Sequence, residues 1–462
     1  MLGERSFASR TGVNRLQPPS ISSSSALKNT IWLFSEKVIA MAILLLVNIV
    51  MARQLGPEYF GSLSILLSFI AIFTPIIALG LNAIVTRELC IDKSNEGKIV
   101  GTVLVLRCVG VVIGTTCILI LANSVVEVLK PHFVLILILV VGNSFSLFSL
   151  IEHWFQSRME SKYVSVIKTI ILMVFSAIRL VVAYAEPNIL NFVIVQAAEW
   201  TVVGVILAAA YFKKRKKTFS LEVDLVYGIK LLKESVWLIF SGVAAVIYLK
   251  IDQLMLGAMV GETEVGIYSV AVKFSEIWYF FPAALAASFF PKLLNDKHLS
   301  PEKYNNALQM LLDFMFLLAL VVAVFTVLFS SFFIPFLYGA EYLDSVKLLN
   351  IQIWACCFVF MRAISSKWLI AESLVKFSLL SQGSGAIINI VMNYYLIPIW
   401  KAEGAAWATL VSYFFASYVC FWLFSDTRQM ARKMSLALFF PMRARSHYQI
   451  IQNFIGKDKK NS

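Results

Sequence analysis

Histidine is nearly missing from this chain of 462 residues, and the four present, His132, His153, His298 and His447, all lie in loops or tails or at the very edge of a long apolar run. A histidine proton relay at mid-membrane depth is thereby excluded. Cysteine is scarce as well: there are six, Cys356 and Cys357 are adjacent, and no CxxC occurs, so neither a disulfide framework nor a zinc site has a basis. Charge is thin, with 15% Asp, Glu, Lys and Arg against 59% hydrophobic residues and a mean hydropathy of +0.80. Soluble domains carry about 25% charged residues. Enzyme constellations are absent too: there is no HExxH, no GxSxG, no GxxxxGK[ST] and no DxD on a loop. The longest outer loop, residues 331–347, is too short to hold a catalytic domain of its own. No cofactor is implied.

What the chain has instead is apolar length. A helix crossing the hydrocarbon core needs about 20 apolar residues. Twelve stretches qualify: 31–51, 60–81, 99–121, 132–151, 163–185, 189–211, 235–258, 266–290, 308–330, 348–370, 377–399 and 404–424. This predicts an all-α polytopic membrane protein. Short basic loops stay cytoplasmic. With the N-terminus inside, the inner segments hold 28 Lys and Arg and the outer loops four, Arg53, Lys130, Lys347 and Lys401. A span missed or invented upstream would put every later loop on the wrong side, so the asymmetry supports twelve spans with both ends inside. The same inner loops explain the net charge of +13, especially Lys213–Lys217 and the tail after residue 425. Topology and anionic lipid account for them without a nucleic-acid partner. No cleavable signal precedes residue 31; the tail with Arg5, Arg10, Arg15 and Ser22–Ser25 reads as disordered and cytoplasmic.

Sliding the chain on itself by 205 residues lays LKNTIWLF, from Leu27, over LKESVWLI, from Leu232. The same offset carries Gly56 onto Gly261, Gly61 onto Gly266 and Ser64 onto Ser269; with two residues of slippage, Pro75 meets Pro282. The order and spacing argue for a duplicated six-helix unit. Six being even, the copies are parallel and related by an axis along the membrane normal. The expected division is a tail, 1–27; an N-terminal bundle, 28–212; a basic linker, 213–234; a C-terminal bundle, 235–424; and a basic tail, 425–462. Rocking of two such bundles is the usual route to alternating access. Pro75 and Pro282, in equivalent helices, are candidate kinks that free carbonyls along the path.

Eight cations fall inside apolar spans: Lys37, Arg107, Lys168, Arg179, Lys250, Lys273, Arg362 and Lys367. Each costs at least about 2.5 to 3.5 kcal/mol in hydrocarbon, so each needs a polar interior or a partner. Lys37, Lys168 and Lys367 are close enough to inner ends to snorkel. Arg107, Lys250 and Arg362 lie deeper and are the leading candidates for a path between the bundles, followed by Arg179 and Lys273. Lys168 and Arg179 share a helix face about 16 Å apart. Lys273 and Glu276, spaced i, i+3, are placed to neutralise each other. Lys250 and Asp252 replace Leu45 and Val47 of the first copy and point away from one another. Asp252 and Glu199, the deepest acids, are candidates either for carrying a coupling proton or for fixed interhelical ion pairs.

Several strings resemble the polysaccharide and O-antigen flippases of the multidrug/oligosaccharidyl-lipid/polysaccharide exporter superfamily. They are ARQLGPEYFGSLS from Ala52, EHWFQSRMESKYVSVIK from Glu152, IDQLMLGAMVGETEVGIYSVAVKF from Ile251, FLYGAEYLDS from Phe336 and NYYLIPIWKAEGAAWATLVS from Asn393. The resemblance covers residues 28–424. It implies transfer of an undecaprenyl-pyrophosphate-linked oligosaccharide to the outer leaflet of a bacterial inner membrane, through a cation-lined lumen. Asp252 falls where these flippases carry an acid. Polymerase and chain-length proteins of the same pathway would be partners. Arg and Lys are the residues a pyrophosphate requires. The ends depart from the pattern, and the C-terminal tail could lie along the inner leaflet. A drug or sodium antiporter of the same superfamily is the competing reading, with a membrane-embedded glycan polymerase behind it.

Overall fold

The computed structural model describes residues 23–92, 94–124, 126–215 and 221–439. The first 22 residues, Lys216 and Lys217 of the linker, and the tail beyond residue 439 lie outside them. Every regular element among the described residues is helical: α1 (Ser23–Ile77), α2 (Asn82–Ile91), α3 (Glu96–Ser124), α4 (Phe133–Ser144), α5 (Leu150–Ser157), α6 (Ser161–Ala185), α7 (Ile189–Lys214), α8 (Leu225–Met259), α9 (Glu262–Glu276), α10 (Phe280–Leu299), α11 (Pro301–Tyr338), α12 (Asp344–Gln352), α13 (Ala355–Ala371), α14 (Lys376–Phe414), α15 (Cys420–Leu423) and α16 (Arg428–Leu438).

Ten helical runs are long and apolar enough to cross a bilayer. Two of them, Lys37–Ile91 and Lys376–Leu423, hold 55 and 48 residues. At 1.5 Å per residue each exceeds twice the roughly 30 Å hydrocarbon thickness. Each is also broken by a non-helical residue, Gly56 (φ 71°) and Lys401 (φ 49°). Counted as two passes apiece, they bring the total to twelve. The chain is a multi-pass membrane protein, and both breaks fall at expected outer turns. α8 starts at Leu225, ten residues before the expected span, because the linker is fastened to the first bundle. Lys98 pairs with Asp224 at 2.5 Å, the Glu222 amide donates to the Gly97 carbonyl, and the Asp224 amide donates to Thr102. The Lys98 ammonium, followed by the Tyr227 amide, holds the Asp224 carboxyl below its usual range.

The repeat is visible in the backbone. Gly56 and Gly261 both take positive φ, 71° and 130°, at the turn before the second helix of each half; glycine reaches that region without a Cβ penalty. Gly61 and Gly266 face each other's halves across the approximate two-fold axis. A Cβ on Gly61 would come within 1.8 Å of the Glu262 carbonyl oxygen, and one on Gly266 within 1.9 Å of the Pro57 carbonyl oxygen. The two halves therefore interlock backbone to backbone at this end. Residues 60–70 and 265–272 are almost entirely buried there. Toward the opposite end none of residues 37–46, 236–251 or 276–281 is buried, although α8 still packs there on the first half, where a Cβ on Gly80 would come within 2.9 Å of the Ile239 nitrogen and one on Gly242 within 2.9 Å of the Pro75 side chain.

Both prolines sit beside helix interruptions. α1 stops at Ile77, two residues past Pro75, and Gly80 (φ 61°) donates back to the Pro75 carbonyl. A 3-10 turn, Ile277–Tyr279, precedes Pro282. Past the last span, α16 buries Met430, Ala431, Met434 and Ala437, and its Lys433 and Gln429 reach Asn305 of α11.

Candidate functional site: the cleft between the halves

Toward the end opposite the interlock, a cleft of about 460 Å³ opens between the first pass of α1 and the junction of α9 with α10. Lys37, Asn48, Lys273 and Glu276 supply its polar wall; Met41, Leu44, Leu45 and Phe280 supply apolar surface. Glu276 accepts from Lys250 of α8 at 3.2 Å, so Lys250 joins the wall through that pair. Glu276 thus neutralises Lys250, a residue on another helix, and not the neighbouring Lys273 that spacing alone suggested. The reason is geometric: α8 passes beside α9 and offers an ammonium closer than the one a turn away. Lys273 and Lys37 are left without an ion-pair partner among the described residues. Among the described residues three basic side chains meet one carboxylate here, a formal charge of +2.

Repeat comparison locates the asymmetry. Leu45 lines the cleft and Lys250, its equivalent, sits at the cleft wall; Val47 and its equivalent Asp252 are both buried. The second half has replaced two apolar side chains with charges in matching surroundings. Asp252 is 4% exposed and has no ion-pair partner among the described residues. Its Oδ2 accepts from Tyr268 at 2.5 Å and from Thr409 at 3.4 Å, and its Oδ1 from the Gln253 amide at 2.8 Å. Gln253 in turn accepts from Ser68 of the first half. This carboxyl is held by hydroxyls and a backbone amide, which accommodate either protonation state far more readily than a fixed ion pair does.

The remaining candidates lie elsewhere. Arg107 is 1% exposed inside the first half, donating to Asn82 and, at 2.6 Å, to Ser149. Arg179 is 4% exposed and pairs with Glu199, with a second hydrogen bond of 3.0 Å to Gln196. Lys168 pairs with Glu152 at 3.2 Å. The cationic face of α6 is therefore partnered within its own bundle. Arg362 belongs to the second half, where it donates to Ser381 and, at 3.1 Å, to the Ala416 carbonyl. Ala416 lies in a one-turn π-helix, Phe415–Val419, whose widened turn frees that carbonyl. Tyr248, Tyr413 and Tyr279 form a chain of tilted and edge-to-face ring contacts nearby, with ring centroids 4.8 and 6.0 Å apart. Lys367 lies over the Phe290 ring.

Sequence reasoning missed Asn48, Asn82 and the tyrosine chain. A polar residue inside an apolar run was the available signal for Asn48; Asn82 lies one residue past the end of its run and carried none. Nothing local marked the tyrosines, which come from three separate helices.

Comparison with known proteins extends the picture. The profile of the family described as "Polysaccharide biosynthesis protein" matches residues 26–295, and that described as "MatE" matches residues 238–395. A Shigella flexneri protein named "Putative O-antigen transporter" is 21% identical over 413 residues, covering 87% of this chain and 98% of its own length. Among solved structures, "Lipid II flippase MurJ, inward closed conformation" superposes with a TM-score of 0.69 at 14% identity, covering 90% of this chain and 91% of that one. A multidrug resistance MATE family transporter in its inward-facing conformation gives 0.66 at 12% identity, covering 86% and 95%. These likenesses show a common transporter fold.

Proposed function

The chain belongs to the polysaccharide biosynthesis protein family, and from that membership we propose that it is a flippase rather than an enzyme. Its cargo is an undecaprenyl-pyrophosphate-linked oligosaccharide, an O-antigen or related repeat unit, moved from the inner to the outer leaflet of a bacterial cytoplasmic membrane. Both termini lie in the cytoplasm. The Shigella flexneri relative, named "Putative O-antigen transporter", supports the cargo class.

One observation carries the reading: a cleft of formal net positive charge between two bundles that interlock at the far end. A pyrophosphate brings two or more negative charges into that space, and among the described residues Lys37 and Lys273 have no carboxylate to answer already. The Glu276–Lys250 pair beside them sets an upper limit to the positive potential, keeping the empty cleft tolerable in the membrane. Apolar Met41, Leu44 and Leu45 give the lipid stem a continuous surface next to the charges. Release follows when the bundles rock, parting at the Gly61–Gly266 crossing and closing over the cleft.

Asp252 supports ion coupling. Its buried carboxyl faces hydroxyls of α9 and α14, and the Gln253–Ser68 bond links it to the other half, so a change in its charge is felt across the interface. Polymerase and chain-length proteins acting on the same repeat unit are the expected partners. The drug or sodium antiporter reading requires a cleft that favours cations, and three ammonium groups against one carboxylate oppose it.

The test is leaflet transfer in vesicles containing the purified protein and a lipid-linked oligosaccharide, read by accessibility of the sugar to an external glycosidase. Transfer above protein-free vesicles is expected. Uptake of cationic drugs with no leaflet transfer would replace this reading with the antiporter.

A further inference from the structure

The interlocked end carries more than backbone contact. Glu262 opens α9 in the second half, directly after Gly261, and both of its carboxylate oxygens are taken by the first half. His132, closing the 3-10 turn before α4, lies with Nε2 2.6 Å from Oε1, and Ser62 of α1 donates to Oε2. The side chains of His132 and Glu262 are 20% and 22% exposed, so the contact is partly shielded yet within reach of solvent. Under the 205-residue repeat, Glu262 corresponds to Pro57. Pro57 and Glu262 both place their carbonyls against the opposing glycine, but only Glu262 adds a charged clasp.

We propose that His132 and Glu262 are gate residues that set how firmly the outer end of the transporter closes. The clasp joins the two halves, so it exists only while this end is shut and must break before cargo leaves outward. The inference rests on the reading that the halves rock. Histidine is the side chain whose charge changes across physiological pH. A protonated His132 makes an ion pair with Glu262 and a neutral one only a hydrogen bond, so outer acidity tightens the closure and alkalinity loosens it. Of the neighbouring charges at this end, Lys130 faces Glu127 at 3.7 Å on the same 3-10 turn, and Glu264 faces Lys401 at 3.5 Å. Glu58 contributes its backbone carbonyl to Ser62, and the Glu341 carboxylate lies 3.5 Å from where a Cβ on Gly56 would stand.

The test uses the full chain in intact cells, with the six native cysteines replaced by alanine and Ser64→Cys as a reporter. Ser64 lies one turn deeper than Gly61 and is buried in the closed state. A membrane-impermeant maleimide added outside reads its exposure, and needs no cargo, so an error in the assigned substrate leaves this readout intact. In the parent, labelling divided by that of a permanently exposed outer cysteine, which cancels the thiol's own rise in reactivity with pH, is expected to rise as outer pH goes from about 5 to about 8. Glu262→Gln should raise labelling at low pH roughly ten- to a hundredfold, the scale of one charge-assisted hydrogen bond in a two-state equilibrium. His132→Gln should flatten the pH response. His132→Lys, which keeps a fixed cation, should hold labelling low at every pH, and it covers the case in which Glu262→Gln fails to accumulate. Labelling that is unchanged in level and in pH dependence across these variants overturns the assignment.

Discussion

Replacing Lys273 by glutamine separates transport from folding more cleanly than any other single change. Lys273 faces the cleft without an ion-pair partner among the described residues, while its neighbour Glu276 is occupied by Lys250. Its removal therefore strands no buried carboxylate. Taking one cation from the membrane interior relieves a cost of about 2.5 to 3.5 kcal/mol, less whatever water in the cleft already supplies. Thermal stability in detergent should be unchanged or slightly raised. The diphosphate of the cargo, by contrast, loses a charge-assisted hydrogen bond of about 1.5 to 3 kcal/mol. At about 1.4 kcal/mol per tenfold, that is a roughly 10- to 150-fold weaker interaction. The assay is initial leaflet-transfer rate at cargo concentrations below saturation, alongside the melting temperature of the same preparation. Lys273→Arg, which keeps the charge, should retain most of the rate. Wild-type transfer by Lys273→Gln at equal protein abundance would refute the proposed role of the cleft. A loss of rate accompanied by an equal loss of stability would show Lys273 to be structural.

Other outcomes follow from the same geometry. Arg179→Gln leaves Glu199 buried without its cation, and should lower stability by about 3 to 5 kcal/mol. The double variant with Glu199→Gln should recover most of that loss in thermal unfolding; independent, additive losses would refute the pairing. Asp252→Asn should abolish any acceleration of leaflet transfer by an imposed pH gradient while leaving a basal rate. A wild-type protein indifferent to the gradient would end the coupling proposal. Gly61→Ala and Gly266→Ala each put a methyl within 2 Å of a carbonyl oxygen across the interface. Both should impair transport with the same sign, and a variant with normal stability and normal transfer would show that the halves do not cross there.

Charge in a membrane chain is legible as a list but not as a set of pairs. Depth along the sequence placed Arg107, Arg179, Lys250, Lys273 and Arg362 inside the bilayer region. It could not say that Arg107 and Arg179 have their partners within the first bundle. Those partners, Asn82 and Ser149 for one and Glu199 for the other, lie 20 or more residues away, and helix packing alone brings them close. The i, i+3 rule assigned Glu276 to Lys273 because it sees a single helix, whereas a second helix supplied the nearer cation. Lys37, discounted as a snorkelling side chain near an inner end, faces the cleft.

The sequence by itself determined the all-helical membrane class and the duplicated six-helix unit, because apolar length and repeated glycines are local properties of the chain. Gly56/Gly261 and Gly61/Gly266 were legible only as matching positions of the repeat. Only the tertiary structure decided that the first pair makes turns and the second the close approaches, which charges answer each other, and where the halves touch. Those outcomes depend on the angle at which two bundles meet, and at one end that angle leaves about 460 Å³ lined by two ammonium groups with no ion-pair partner among the described residues. At the other it brings Glu262 to His132, a contact between residues 130 positions apart.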